Sequence, residues 1–341
     1  MRIAVLSASA LPSPTDGAYG ALENIAAWSA EALAQEHDVT LIGAKGTRGR
    51  KCRVIETVEP SFTADAEQRT YAMVKDFLNS FDMVLDHSHQ GLAFQFRIAN
   101  PSKRAVHIIH DLLPAQMIPW PEGSFDALYG VSQFHARLLS ERWGTPVGHV
   151  YNGIPVGEME YSERKDGYLL FLGRMDVGKG AHLFPDIARK SGMKGIMAGD
   201  DDPAHCINIT YRDTVMHECV KAGVDYMGTV DARTKKEMLA HADALVLPYT
   251  AGYAEVFGVV MLEALASGTP VIAMDAGSPR ELLTDRCGHV SADMLDFLIT
   301  VKKLAAGQMR FSPSDCRERA TKFGIAEMGR QYIRLADDLQ R

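Results

Sequence analysis

Between residues 244 and 274 the chain spells a strand, a loop, a short helix and a second strand, the repeating unit of an α/β protein. Ala244-Leu-Val-Leu247 is apolar throughout and Pro248 closes it, which predicts a buried strand. Gly258 opens a helix over Val259–Ser267, Gly268 and Pro270 end it, and Val271-Ile-Ala-Met274 resumes as a strand. In an α/β protein such a unit sets its loop and helix N-terminus at the carboxyl edge of a parallel sheet, where ligands bind.

Two glutamates, Glu255 and Glu263, stand on either side of that helix start. The first-turn N–H groups of Val259 and Val260, together with the helix dipole, favour an anion. Glu263 lies about 6 Å along the axis from Val259 at the rise of an α-helix. Carboxylates accept paired hydrogen bonds from vicinal hydroxyls and repel phosphate. The pattern suits a sugar nucleotide, with Glu255 on the transferred sugar, Glu263 on the ribose, and backbone amides between them for the diphosphate. The alternative makes Glu263 a solvated helix residue, but Met261, Leu262, Ala264 and Leu265 around it leave little polar face.

Gly173-Arg174-Met-Asp-Val-Gly-Lys179-Gly180 follows another apolar run, Tyr168–Leu172. Arg174 and Lys179 in such a loop can clamp a diphosphate from the side opposite the helix amides. The spacing is not that of a Walker loop. Nearer the N-terminus, Asp16-Gly17-Ala-Tyr19-Gly20-Ala-Leu-Glu23 lies between the first strand and the first long helix. Gly17 and Gly20 allow close backbone approach to an anion, but the pattern is not the dinucleotide fingerprint, which counts against a dehydrogenase. His110 ends the apolar strand Val106–Ile109 and, as a neutral imidazole, can hydrogen-bond a sugar hydroxyl. His87 and His89 are read as sharing one strand face, without a third ligand to make a metal site. Asp200-Asp-Asp202 resembles an acidic metal-carrying site, with a solvated loop or a nucleotide contact as the alternative.

The rest of the chain repeats the strand–helix alternation. Strands are expected at Ile3–Leu6, Val39–Ile42, Met83–Leu85, Ala105–Ile109, Ala127–Val131 and Gly148–Tyr151, and helices at Ala21–Gln35, Tyr71–Leu78 and Gln133–Trp143. A glycine- and charge-rich stretch from Asn152 to Gly167 reads as a linker, after which Tyr168–Leu172, Gly195–Ala198, Asp225–Met227, Leu245–Leu247 and Val271–Met274 form a second strand series. Two doubly wound, Rossmann-like α/β domains are the economical reading. Phe323–Gln340 is helical and packs back across the domain junction.

With 46% apolar and 23% charged residues the chain is a globular one, and a net charge of −7 argues against a nucleic-acid partner. Lys45, Arg48, Arg50, Lys51 and Arg53 form the one basic cluster, read as a solvated loop, with peripheral membrane contact or docking of an anionic acceptor as the alternative. Five scattered cysteines without a paired spacing fit a reducing, cytoplasmic setting. The N-terminal apolar run is too short for a signal sequence, and no run reaches bilayer length.

Taken together, the segment Leu247–Ala273, the Gly173–Gly180 loop, Tyr151-Asn-Gly-Ile-Pro155, Glu36-His-Asp-Val-Thr-Leu41, Tyr226-Met-Gly-Thr229 and Gly277-Ser-Pro-Arg-Glu281 resemble the family-4 retaining glycosyltransferases of the GT-B fold. The resemblance covers nearly the whole chain. It implies two Rossmann-like domains facing a cleft: residues 1–155 binding the acceptor, 156–322 binding the nucleotide sugar, and a helix in 323–341 crossing back to the first. Arg174 and Lys179 would be the diphosphate clamp, Gly173 and Gly228 would line the nucleotide site, and Glu255, Val256, Phe257, Gly258 and Val259 would surround the sugar and phosphates. Glu263 would hold the ribose, Gly20 would offer a phosphate-binding amide, and His110 would be the cleft histidine. Ala21 stands where related sequences have a second glycine.

The expected reaction moves a sugar from a nucleoside diphosphate donor to a hydroxyl on a saccharide, lipid or small metabolite. The anomeric configuration is retained, and no cofactor or metal is required. A sugar-nucleotide epimerase, a phosphorylase-like enzyme with a pyridoxal lysine and a catalytically silent nucleotide-sugar-binding subunit are the competing readings.

Overall fold

Short, wholly apolar runs become the central strands, because a parallel sheet covered on both faces buries every side chain along them. The computed structural model describes residues 1–15, 20–112, 120–201 and 208–339. They fall into two units, one holding the residues up to Ile154 and those from Gly324 onward, the other those from Pro155 to Phe323.

The first unit begins β1 (Arg2–Leu6), α1 (Ala21–Leu33), β2 (Asp38–Gly43), β3 (Arg53–Glu56), α2 (Ala64–Leu78), β4 (Met83–Asp86) and α3 (Phe94–Ala99). It continues β5 (Arg104–Ile109), β6 (Ala127–Gly130), α4 (Gln133–Trp143) and β7 (Gly148–His149). All pairings are parallel and the strand order is β3-β2-β1-β4-β5-β6-β7.

The second unit runs β8 (Tyr168–Leu172), α5 (Phe184–Ser191), β9 (Lys194–Ala198), α6 (Ile209–Ala222), β10 (Asp225–Tyr226), α7 (Ala232–His241), β11 (Ala244–Leu247) and α8 (Val259–Ala266). Then come β12 (Val271–Met274), α9 (Pro279–Leu282), β13 (Gly288–Ser291), α10 (Met294–Ala305) and α11 (Pro313–Thr321). Its parallel sheet is ordered β10-β9-β8-β11-β12-β13. Both orders reverse beside the first strand of their unit, between β1 and β4 and between β8 and β11. Ligands of doubly wound sheets bind at the carboxyl ends of strands at such points.

The last helix, α12 (Ile325–Asp338), belongs to the first unit. Met328, Tyr332, Leu335 and Ala336 are its buried face. A side chain at Gly329 would meet Ala32 Cβ at 2.7 Å, so glycine is what lets α12 close on α1. Ile154 and Gly324 form a parallel bridge in which Ile325 N–H donates to Ile154 O at 3.1 Å.

Several elements differ from the sequence reading. α2 starts at Ala64 instead of Tyr71, because its first turn is acidic (Asp65, Glu67) and carries little apolar signal. β7 stops at His149. The basic cluster read as a loop ends in β3, where Arg53 donates to both oxygens of Asp38 at 2.7 Å, while Lys45 pairs with Glu59 at 2.5 Å. β4 ends at Asp86, so His87 and His89 lie beyond the strand and do not share a strand face. Among the described residues no helix is long and apolar enough to cross a membrane.

Candidate functional site

In the second unit β8 and β11 pair through Leu169↔Ala244 and Leu170↔Leu245, and the loops that leave them touch backbone to backbone. Thr250 N–H donates to Gly178 O at 3.0 Å. A Cβ on Gly180, whose φ is +75°, would lie 2.0 Å from the Pro248 carbonyl oxygen, so no other residue allows this approach. The contact brings Lys179 onto Glu255 as an ion pair, with only 17% and 7% of the two side chains exposed. The ammonium also stands 5.5 Å and 5.2 Å from the ring centroids of Tyr249 and Tyr253, which stack on each other. Burial works against the Lys179 charge, but Glu255 and Tyr253 more than offset it and hold the amine above its ordinary value. Burial raises the Tyr253 phenol, and the Lys179 and, more weakly, Arg174 cations oppose that.

The main chain at Glu255 is fixed from both sides, its N–H donating to Ala276 O at 2.7 Å and its carbonyl accepting from Ser278 N–H at 3.1 Å. Gly258, the N-cap of α8, has φ +71°; a Cβ there would fall 2.3 Å from Met261 Cε and 3.2 Å from Glu255 Cγ. Glu255 therefore lies against the amino end of α8, where no carbonyl within the helix serves the N–H groups of Val259 and Val260. The ring of Phe257 is buried and packs edge-on against Phe323, so a ligand meets Phe257 through its main chain or not at all. One turn into α8, Glu263 Oε1 pairs with Lys235 Nζ of α7 at 2.7 Å.

Gly173 N–H donates to Ala198 O at 3.2 Å, and Gly228 O accepts from Gly199 N–H at 3.0 Å, which ties together the carboxyl ends of β8, β9 and β10. The acidic triplet at this edge is partly committed: the Asp201 carboxylate accepts from Tyr226 Oη and Thr229 Oγ1, each at 2.9 Å. Asp202 lies outside the described residues. Among the described residues no group of three or more His, Cys, Asp or Glu is arranged to hold a metal ion.

Gly20 and His110 belong to the first unit. Gly20 is the N-cap of α1 with φ +102°, and Ala21 is the first helical residue, so the alanine occupies an unstrained position. Gly17 lies outside the described residues. His110 Nε2 is 2.9 Å from His87 Nδ1, and His87 Nε2 is 3.1 Å from Ser29 Oγ. Ser29 donates its hydroxyl proton to Ala26 O at 2.9 Å, so it accepts from His87 Nε2–H; His87 Nδ1 then accepts from His110 Nε2–H. This order leaves His110 Nδ1 unprotonated, a hydrogen-bond acceptor. Burial pushes His87 down to about 3 and, with His87 beside it, carries His110 well below 6.5, so both rings are neutral. His89 behaves oppositely: its hydrogen bond to Asp111 at 2.5 Å raises it to about 9. Glu23 in the first turn of α1 is buried, and burial raises its carboxyl.

Sequence reasoning missed Tyr249, Tyr253, Lys235, His87 and Ser29 as parts of these arrangements. The two tyrosines flank the Glu255 segment and could have been noticed. Lys235 and Ser29 reach their partners only through helix packing, which no local pattern announces.

Residues 166–306 match the family described as glycosyl transferases group 1. Phosphatidyl-myo-inositol mannosyltransferases of Mycobacterium tuberculosis (strain H37Rv) and Mycobacterium leprae (strain TN) are 30% and 29% identical over 59% and 54% of this chain. The chain spans about half the length of these curated relatives, 54% and 51% respectively. Among solved structures, sucrose-phosphate synthase from Thermosynechococcus elongatus is similar with a TM-score of 0.81 at 17% identity, covering 99% of this chain and 98% of that one. The Anabaena protein HepE, solved in complex with UDP and glucose, is similar with a TM-score of 0.74 at 15% identity, covering 99% and 100%. At such identities these likenesses speak for the fold, which is GT-B. The match to the glycosyl transferases of group 1 lies wholly within the second unit.

Proposed function

We propose that the protein is a retaining glycosyltransferase that moves a sugar from a nucleoside diphosphate donor to an acceptor hydroxyl. The observation that carries this reading is the pairing of Lys179 with Glu255 at the amino end of α8, with Glu263 one turn further along. The match of residues 166–306 to the glycosyl transferases of group 1 and a similar structure in complex with UDP and glucose support the donor class.

An ammonium has three donors; Glu255 takes one, and another can serve a phosphate oxygen. Glu255, held by Lys179 through one oxygen, has acceptor sites left for sugar hydroxyls, and Glu263 serves the ribose in the same way. As the anomeric C–O bond to the diphosphate breaks, charge builds on the leaving oxygen. Lys179, Arg174 and the Val259 and Val260 amides stabilise it there. The acceptor oxygen bonds to the anomeric carbon on the face the diphosphate leaves, and its proton passes to a leaving phosphate oxygen. This route needs no carboxylate nucleophile, and its positive field comes from side chains and helix amides. The Nδ1 of His110 is suited to accept from a sugar hydroxyl.

Thermal-shift measurements against UDP-, GDP-, ADP- and TDP-sugars test the reading: the true donor raises the melting temperature by binding the native state. Incubation with that donor and acceptor candidates, followed by NMR of the product's anomeric centre, reads transfer and configuration. A donor converted to its epimer without any acceptor would replace this function with that of an epimerase.

A further inference from the structure

Asp231 caps α7 by accepting from Thr234 N–H at 2.7 Å, and the first turn closes through Lys235 N–H on Asp231 O at 2.9 Å. That capped turn aims Lys235 at the neighbouring helix, where its ammonium meets Glu263 Oε1 at 2.7 Å. Only 13% and 14% of the two side chains are exposed. A clamp between two helices does not require charge, since apolar side chains of similar volume do as well or better at such burial. A charge-assisted hydrogen bond at this distance, by contrast, fixes the orientation of the carboxylate it holds.

We infer that Lys235 is a positioning residue for ribose recognition, acting through Glu263; this rests on the donor-site reading above. Holding Oε1 fixes the plane of the carboxylate and leaves its remaining acceptor sites to a vicinal diol. The ammonium also offsets the repulsion between Glu263 and a diphosphate bound at the start of the same helix. Without it the carboxylate swings between rotamers, and its grip on the two hydroxyls weakens while contacts to base and phosphate persist.

The test compares binding of UDP, GDP and ADP with that of their 2′,3′-dideoxy counterparts, by calorimetry, on the full chain. Wild type binds the preferred ribonucleotide about tenfold or more tighter than its dideoxy form, the worth of one good hydrogen bond. Lys235→Met lowers ribonucleotide affinity by about tenfold and leaves dideoxy affinity nearly unchanged, so the ratio collapses towards one. Lys235→Arg, which keeps the cation, restores part of it and guards against a folding defect in the methionine variant. Combining Lys235→Met with Glu263→Ala adds nothing to the loss seen with Glu263→Ala alone. Equal weakening of both nucleotide forms, or no change in either, overturns the inference while leaving the donor site intact. Binding of TDP alone, which lacks the 2′-hydroxyl, overturns the inference and leaves the donor site intact; failure of UDP, GDP, ADP and TDP alike to bind wild type overturns the donor-site reading and the inference with it.

Discussion

His87 Nδ1 stands 2.9 Å from His110 Nε2, and the hydrogen bonds behind His87 decide which ring owns the proton between them. Because Ser29 spends its own proton on Ala26, the chain of donors runs inward from His110. Ring-nitrogen NMR should find His110 protonated at Nε2 only. Titration of either ring near its ordinary 6.5 would contradict this arrangement.

The same two histidines set an acid limit on stability. Their folded-state values are depressed, so below about pH 6.5 the unfolded chain takes up protons that the native state refuses. Their stabilising effect is complete above that point and is lost as pH falls towards about 3. Urea midpoints should therefore drop between about pH 7 and pH 5. A flat profile over that window counts against burial of the neutral pair.

His89 makes the opposite contribution. Held up to about 9 by Asp111, it stabilises fully below its ordinary 6.5 and loses that effect as pH rises through 9. The two side chains are about half exposed, so the effect is under about 1 kcal/mol. Asp111→Asn should bring the His89 titration back towards 6.5 by NMR, with little change in melting temperature.

Lys179→Met should reduce turnover at saturating donor by about 10²–10³. It also strands a buried carboxylate, at about 3–5 kcal/mol in stability. Adding Glu255→Gln to the same chain should recover most of the stability and none of the activity. Recovery of activity in the double variant would mean that Lys179 serves only to neutralise Glu255.

Gly258→Ala should destabilise the protein by about 1–2 kcal/mol from its left-handed backbone alone. That corresponds to roughly 2–8 °C in melting temperature for a unit of this size. The clash with Met261 adds to the loss, and the clash with Glu255 weakens donor binding.

The α/β fold was legible because strands such as β8 and β11 are unbroken apolar runs bounded by glycine or proline. The Glu255-to-Glu263 segment was legible for the same reason, its helix being announced at both ends. Helices with polar first turns, such as α2, were shortened because burial of Ala66 and Thr70 depends on what packs over them. Partnerships between distant segments were not legible at all: Lys235 with Glu263, and Ser29 with His87, depend on how the helices pack on their neighbours. The histidines after β4 misled because alternation continues in the sequence after the strand itself has stopped.

The main-chain stitching of Glu255 to residues 276 and 278 confines what an incoming ligand can rearrange there. With both its amide and its carbonyl committed, the residue answers a competitor for Lys179 by turning about its side-chain bonds alone. Glu255 is buried, so such a turn must move the side chains packed around it and is slower than the picosecond-to-nanosecond exchange of exposed residues. On the proposed function, the lysine therefore passes from carboxylate to phosphate without any movement of the main chain at residue 255.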